Sequence, residues 1–583
     1  MRDRGRGHRC TGATVLVASL LPLICDQDAF AGTMTDDHSR APLRLLLVAG
    51  GSTIPSWLLK CLEDVERSGA ARVVLVLEAA DTRVRRARRF VQQVRHVLFW
   101  LHERMDRLLF RRSPDAFAPM SLRSAFVDRR TFTELNDRLF RALQEEAIDV
   151  VLDPLSALPD GSLADLARHG VWSTSFGRSG EPRTQSTPGF WEVAEGCPIT
   201  ETRLCMQARE SDKKVSLYES VAPTDRRSVS RSLNHVYWKL SDALAGKMRL
   251  LWEDPDAFVE RLKAAAPFEG ARSASMAPGI GEVLKAWSVL TRRYVSDKWQ
   301  DNRYLEQWAL GFQPAGRGHM EMGAVRRLMP PMDRAWADPF PLQVGNEYYV
   351  FHEELLFSTG KGSIVLTVVD DHARALDRPV PILEQDCHLS YPLVFQWDGE
   401  FFMIPETESR HQVELYRCIT FPGQWELERV LISDVRAFDS TPVFLFGRWW
   451  LFATVPAFGA GTTDELHLFC ADSLLGPWTP HRRNPIKSDV RSARPAGRVF
   501  ERHGQFYRPA QDCSRRYGYA VSINRILQLD DETYEECEVD RVTPNGDPRV
   551  AGVHTFNLAG DMTVIDCLVR RRKRRATLVA SPP

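Results

Sequence analysis

No CxxC pair occurs in the sequence, although it carries 11 cysteines. Structural zinc sites and redox dithiols rely on that close spacing, so neither organises this chain. An odd count at loose spacing makes no disulfide framework either, and buried reduced thiols of a cytoplasmic protein are the expected state. Long apolar runs are missing too: no segment sustains the roughly 18 apolar residues that a membrane-crossing helix takes. A charge of one sign is also absent. Lysine plus arginine number 76, and aspartate plus glutamate number 76. The chain as a whole is therefore no electrostatic binder of nucleic acid. Gly50-Gly51 lacks the full GxGxxG spacing and is a weak nucleotide signal. Nothing in the spacing of His, Cys and acidic residues signals a metal cluster, so no metal is expected.

What is present begins with length. A chain of 583 residues exceeds one core and implies two or more domains. At the start, Arg2, Arg4, Arg6 and Arg9 precede an apolar stretch, 13–24, and Ala29-Phe30-Ala31 follows. That is the layout of a secretory leader. The competing reading is a start at Met34, only nine residues before the first domain. Residues 1–42 are thus a leader-like or mis-started segment. A cytoplasmic location, with membrane association, is expected, and a secreted one if the leader is real.

Residues 44–49 (RLLLVA), a helical stretch 55–67, and the valine-rich 71–78 form a β-turn-α-β opening with buried parallel strands. Residues 148–152 (IDVVL) are a later strand of the same kind. An α/β Rossmann-like domain over 43–225 is the expectation. Inside it lies a basic helix, 83–112. Ala87, Val91, Val94, Leu98, Leu101, Met105 and Leu108 make one stripe, and arginines crowd the rest. Either the stripe packs on the sheet with the arginines solvated, or the helix makes peripheral contact with an anionic membrane. Residues 226–330 read as a helical connector, with helices near 230–251, 256–266 and 287–308 and a turn-rich linker at 271–281.

From Trp336 the texture changes to short aromatic and β-branched runs between turns. Five copies of one strand-turn-strand unit carry turn glycines at 345, 399, 447, 504 and 560, separated by 54, 48, 57 and 56 residues. That period fits one four-stranded blade. An all-β five-bladed propeller over 331–572, followed by a basic tail 573–583, is expected. The residues that open each blade, Asp338, Tyr391, Asp439, Arg494 and His554, should converge near its axis.

The repeat resembles the five-bladed glycosidase-like propellers of the arabinanase and xylosidase type. HLSYPLVF, MIPET, ELYR, DELHLF, SARPAGR and YRPAQDCSRRYGY resemble more closely the N-terminal domain of glucosamine inositolphosphorylceramide transferases, over about 331–570. The resemblance implies a sugar or glycolipid head-group substrate. In that family glycosyl transfer belongs to a separate domain, and no DxD segment stands here in a matching context. The glycosidase likeness implies that Asp338 is a general base and that Asp439 tunes the acid. SARPAGR stands where a fourth-blade glutamate is expected, and Glu406 is the nearby substitute. Tyr391, Arg494 and His554 are expected to bind substrate, with Arg491 and Arg494 favouring an anionic ligand.

Residues 148–177 and 189–207 resemble a formyltransferase domain of the type acting on methionyl-tRNA or amino sugars. Ser173 and Ser175 fall at the Asn and His positions of that family's Asn-x-His motif, and Asp212 at its aspartate. Serine does not titrate near neutral pH. The site therefore reads as degenerate, and a folate formyl donor, which the resemblance implies as cofactor, is not expected to be used. The function expected is that of a carbohydrate- or glycolipid-modifying transferase-like protein. The alternatives are a non-catalytic carbohydrate-binding protein, or a glycosidase-like hydrolase using Asp338 and Asp439.

Overall fold

The computed structural model describes residues 40–78, 96–126, 129–155, 163–177, 187–208, 213–264, 277–314 and 320–573. The leader-like segment through residue 39, the arginines from 83 to 95, Asp212 and the tail 574–583 lie outside the described residues.

The first unit is built on a seven-stranded sheet. Its order is Arg130–Phe132, Ala71–Glu78, Leu43–Ala49, Val150–Asp153, Val171–Phe176, Ile199–Gln207, Lys214–Pro223. The first five strands run parallel and the last two join antiparallel, so the sheet is mixed. The central strand LRLLLVA shows why such a run is continuous rather than alternating. Leu45 and Leu47 enter one core, while Leu46 and Val48 enter another on the opposite face. The helix Val229–Glu253 supplies much of the first of these cores through Val236, Leu240, Leu244 and Leu251.

The second unit is a ring of five sheets. Blade 1 is Arg334–Val344, Glu347–Leu356, Lys361–Val369 and Val380–Leu383; blade 2 is Ser390–Trp397, Glu400–Glu406, Gln412–Thr420 and Gln424–Ser433. Blade 3 is Phe438–Leu445, Arg448–Thr454, Leu466–Ala471 and Thr479–Pro480; blade 4 is Phe500–Arg502, Gln505–Asp512, Ala520–Leu529 and Tyr534–Val542. Gly345, Gly399, Gly447, Gly504 and Gly560 all sit at the first hairpin of their blades, with φ of 63°, 80°, 78°, 71° and 48°. That left-handed backbone is why glycine recurs there.

Blade 5 corrects the expected connector. Phe556–Ala559 and Met562–Arg572 pair with each other, and Tyr304–Pro314 then pairs along the whole of Met562–Arg572, with Arg326–Leu328 outside it. The helix Ile280–Arg303 ends where YLEQWALGF begins, and residues 304–314 and 326–328 are propeller strands. A strand from before blade 1 therefore closes the ring against Met562–Arg572.

The two units are clasped at blades 3 and 4. Val221, on the sheet edge, exchanges backbone hydrogen bonds with Ser488 and Val490 at 3.0 and 2.9 Å. Lys239, 1% exposed, reaches Asp464 at 2.5 Å and Glu465 at 3.0 Å, and His235 meets Asp464 at 2.8 Å. A buried ionic network thus fixes the loop 455–465 of blade 3.

Candidate active site

Three first strands break register at the same point: between Ala337 and Phe340, Ser390 and Leu393, and Phe438 and Thr441. Within each break one residue has positive φ: Asp338 at 50°, Tyr391 at 45° and Asp439 at 53°. Such backbone costs on the order of 1–3 kcal/mol per non-glycine residue. The bulge turns the side chain and frees an N–H from the ladder. Each freed N–H donates at 3.2 Å to a carboxylate of the preceding blade. Asp338 gives to Asp566, Tyr391 to Asp338, and Asp439 to Glu406.

Asp338, Asp439, Arg494 and His554 are all buried and stand at the axis, as their spacing implies, but in two separate clusters. In the first, His554 lies between two carboxylates, with Nε2 3.2 Å from Asp338 and Nδ1 2.6 Å from Asp566. Burial opposes charge on the ring, but Asp566 and Asp338 overcome it and raise His554 well above the ordinary histidine range. Burial likewise pushes Asp338 up, and His554, Thr555 and Arg494 outweigh that and hold it below its usual value. Asp338, His554 and Asp566 bring their ligand atoms within 4.8 Å of one another, a grouping the sequence reading missed. Both ring nitrogens face carboxylates, the arrangement of an imidazolium, which has no nitrogen lone pair to offer a cation.

In the second cluster Arg494 forks onto Asp439, through Nε at 2.6 Å and Nη2 at 3.2 Å, while Gln511 donates at 2.8 Å. Arg494 was expected between Asp338 and Asp439; it belongs to Asp439, and it lies 3.6 Å from Glu406. Its other nitrogen donates to the Thr462 carbonyl at 2.9 Å, within the loop that Lys239 fixes. Burial, then the charge of Asp439, raise Glu406 well above the carboxylate range. Burial raises Asp439 too, against the pull of Arg494. The arginine fork makes Asp439 the ionised member of the pair and leaves the proton on Glu406.

Tyr391 turns its side chain into the protein. It is fully buried, its hydroxyl accepts from Gly497 N at 2.7 Å and shares a hydrogen bond with Thr441 at 2.9 Å, and it forms the floor of the site. Ser173 and Ser175 lie buried on the strand Val171–Phe176, opposite Cys205 and Arg203, away from the axis.

Glu353 was missed. Glu353 stands opposite Ala337 in blade 1, as Glu406 stands opposite Ser390 in blade 2. Burial and the charge of Asp338 lift Glu353 to about 8. His388, 41% exposed, places Nε2 3.3 Å from Glu353 and accepts from Gly362 N at 2.9 Å. Counting forward from the turn glycines finds this pair of glutamates, eight residues after Gly345 and seven after Gly399.

Comparison with known proteins bears on the span that carries this cluster. Residues 331–551 match the family model "Glucosamine inositolphosphorylceramide transferase 1, N-terminal". A transferase of that name from Oryza sativa subsp. japonica is 39% identical over 213 residues, covering 35% of this chain and 28% of the relative. The Arabidopsis thaliana transferase is 37% identical over 206 residues, covering 35% and 27%. The chain thus spans under a third of the length of these relatives. Among solved structures, the family 117 glycoside hydrolase Zg3597 of Zobellia galactanivorans aligns at TM-score 0.30 and 13% identity over 45% of this chain and 90% of that one. The β-xylosidase RS223 aligns at TM-score 0.29 and 15% identity, over 37% and 80%. Asp338, Glu353, Glu406, Asp439 and Arg494 fall inside the span matched to the transferase family. His554 and Asp566 lie just beyond it, and Ser173 and Ser175 far outside.

Proposed function

We propose that the axial site binds a sugar-containing head group and that the protein is a transferase-like enzyme acting on a glycolipid. The observation that carries this is the Glu406–Asp439–Arg494 cluster, where two carboxyl groups share one buried place and an arginine separates their protonation. Environments that push two carboxyl groups apart assign an acid and its tuner. Glu406 gives a proton to the oxygen that departs from the sugar, and Asp439 sets its acidity. Glu353, lifted to about 8 and 3.3 Å from His388, takes the proton of the incoming hydroxyl when ionised. Asp338 is loaded by Thr555, His554 and Tyr391 N, so it positions the blades rather than acting as a base. That loading, with the fork on Asp439, weighs against the hydrolase that would use Asp338 and Asp439. The names of the matched relatives suggest the substrate class, an inositolphosphorylceramide-like head group.

The same proposal takes residues 43–225 as a formyltransferase-like module whose chemistry is lost. Ser173 and Ser175 offer no group that titrates near neutral pH, and Asp212 lies outside the described residues. Transfer from a folate formyl donor is not expected. A cytoplasmic location is part of the proposal.

The test is a thermal-shift screen of the full chain with inositol phosphates, nucleotide sugars and folates, followed by turnover with the hits. Head-group binding with transfer that Glu406→Gln abolishes supports the enzyme. Head-group binding without any transfer by the wild type turns the reading to a carbohydrate-binding protein, which the loading of Asp338 favours. No shift with any sugar or inositol phosphate overturns both.

A further inference from the structure

The helix Val97–Phe110 is inside out. The residues it buries include His102 and Asp106, 7% and 5% exposed. Asp106 accepts from the Ser230 backbone N–H at 2.6 Å and from the hydroxyls of Ser228 and Ser230 at 3.1 and 2.5 Å. His102 Nδ1 accepts from the Trp287 indole at 3.1 Å. These polar anchors fix the roll of the helix. Of the stripe read from the sequence, Leu98 packs inward, but Leu101, Met105 and Leu108 face solvent. Val97 and Trp100 are exposed with them, and Leu108 and Leu109 are 73% and 69% exposed.

Arg104, Arg107, Arg111 and Arg112 are exposed on the same segment, while its two acids turn away: Asp106 is buried and Glu103 partly so. The neighbouring helix Ile280–Arg303 extends the apolar surface. It begins beside His96, whose Nδ1 lies 3.0 Å from the Pro278 carbonyl, and it exposes Ile280 and Leu284 one turn apart. Single exposed leucines need no explanation, whereas a contiguous apolar patch marks an interaction surface.

We propose that this face docks on the surface of an anionic lipid bilayer, with the leucines and Trp100 among the acyl chains and the arginines on lipid phosphates. The charge selects this occupant. A second copy of the chain would set two arginine arrays against each other, whereas arginines flanking an apolar stripe are the makeup of an interfacial helix. No described helix is long and apolar enough to cross a membrane, so the contact is peripheral. It stands independently of the axial chemistry.

The experiment is co-sedimentation of the full chain with vesicles of phosphatidylcholine alone and with about 30% phosphatidylserine. Binding to the anionic vesicles only is expected, falling at least about tenfold as salt rises from roughly 0.05 to 0.5 M. Leu108→Glu with Leu109→Glu should lower the partition coefficient at least about tenfold with an unchanged melting temperature. Glu406→Gln should bind vesicles as the wild type does, which separates this proposal from the reading of the axial site. Binding to neither vesicle overturns the proposal, as does equal binding to both without salt dependence. So does a concentration-dependent dimer that the double leucine variant abolishes.

Discussion

Arg494 closes its guanidinium fork on Asp439, with Nε 2.6 Å from one carboxylate oxygen and Nη2 3.2 Å from the other. Both residues are buried, so the pair is structural as well as chemical. Arg494→Ala leaves Asp439 charged without a counterion, a loss of about 3–5 kcal/mol. The expected result is a large fall in unfolding free energy together with loss of ligand binding. Arg494→Lys keeps the charge but not the fork, and should restore part of the stability while binding stays impaired. Chemical denaturation with parallel ligand titration reads both.

Glu353 gives a pH signature. A carboxyl raised on folding contributes stability that is complete below its unfolded value, about 4.3, and is lost as pH rises through the folded value, about 8. The wild type should therefore lose stability from this group as pH rises from about 4.3 to about 8. Glu353→Gln keeps the neutral form and should flatten that fall. Melting temperatures of both proteins across the window decide it, and parallel curves would remove Glu353 from the titrating cluster.

Lys239 sits on the α/β unit, yet it should affect the axis. It neutralises Asp464, which together with His235 it holds down at about 2 against the cost of burial. That stability is present above the unfolded value of aspartate and is lost as pH falls through about 2. Lys239→Met strands two buried carboxylates and should cost about 3–5 kcal/mol. Adding Asp464→Leu should recover a good part of it. Because Thr462 in the same loop holds Arg494, Lys239→Met should also weaken ligand binding at the axis under conditions where the protein is folded. Unchanged affinity in the folded variant would show the loop to be independent of the site.

Glu406 is tested by a group of the same shape. Glu406→Gln replaces a protonated carboxyl by an amide, so melting should move little while transfer stops. A variant that unfolds would mean that Glu406 carries charge in the resting protein, contrary to its burial beside Asp439.

Much of the propeller was legible because its signal is local. A turn glycine with left-handed backbone recurs once per blade, and the residue that opens each blade lies 6 to 10 residues before it. Asp338, Tyr391 and Asp439 followed from that spacing. So did Arg494 and His554, but not which carboxylate each would meet, nor Asp566. His554 and Asp566 meet Asp338 only because the ring closes, and no local pattern joins residues over 200 positions apart. Tyr304–Pro314 was hidden for a related reason, since its aromatics continue the spacing of the helix before it. The helix Val97–Phe110 shows a different limit. Periodicity reports that a helix has two faces, and it does not say which one meets the core. The buried hydrogen bonds of His102 and Asp106 decided that.

Ring closure also orders the birth of the fold. Tyr304–Pro314 leaves the ribosome long before Met562–Arg572, the strand it pairs with. Until His554 and the strand Met562–Arg572 emerge, Asp338 waits without its imidazolium and its backbone N–H without Asp566. Blades 1 to 4 can hydrogen-bond internally as they appear, but a buried aspartate and a left-handed turn in blade 1 remain uncompensated. The nascent chain is thus held open at one seam, and Met562–Arg572 acts as the latch that completes the axial site.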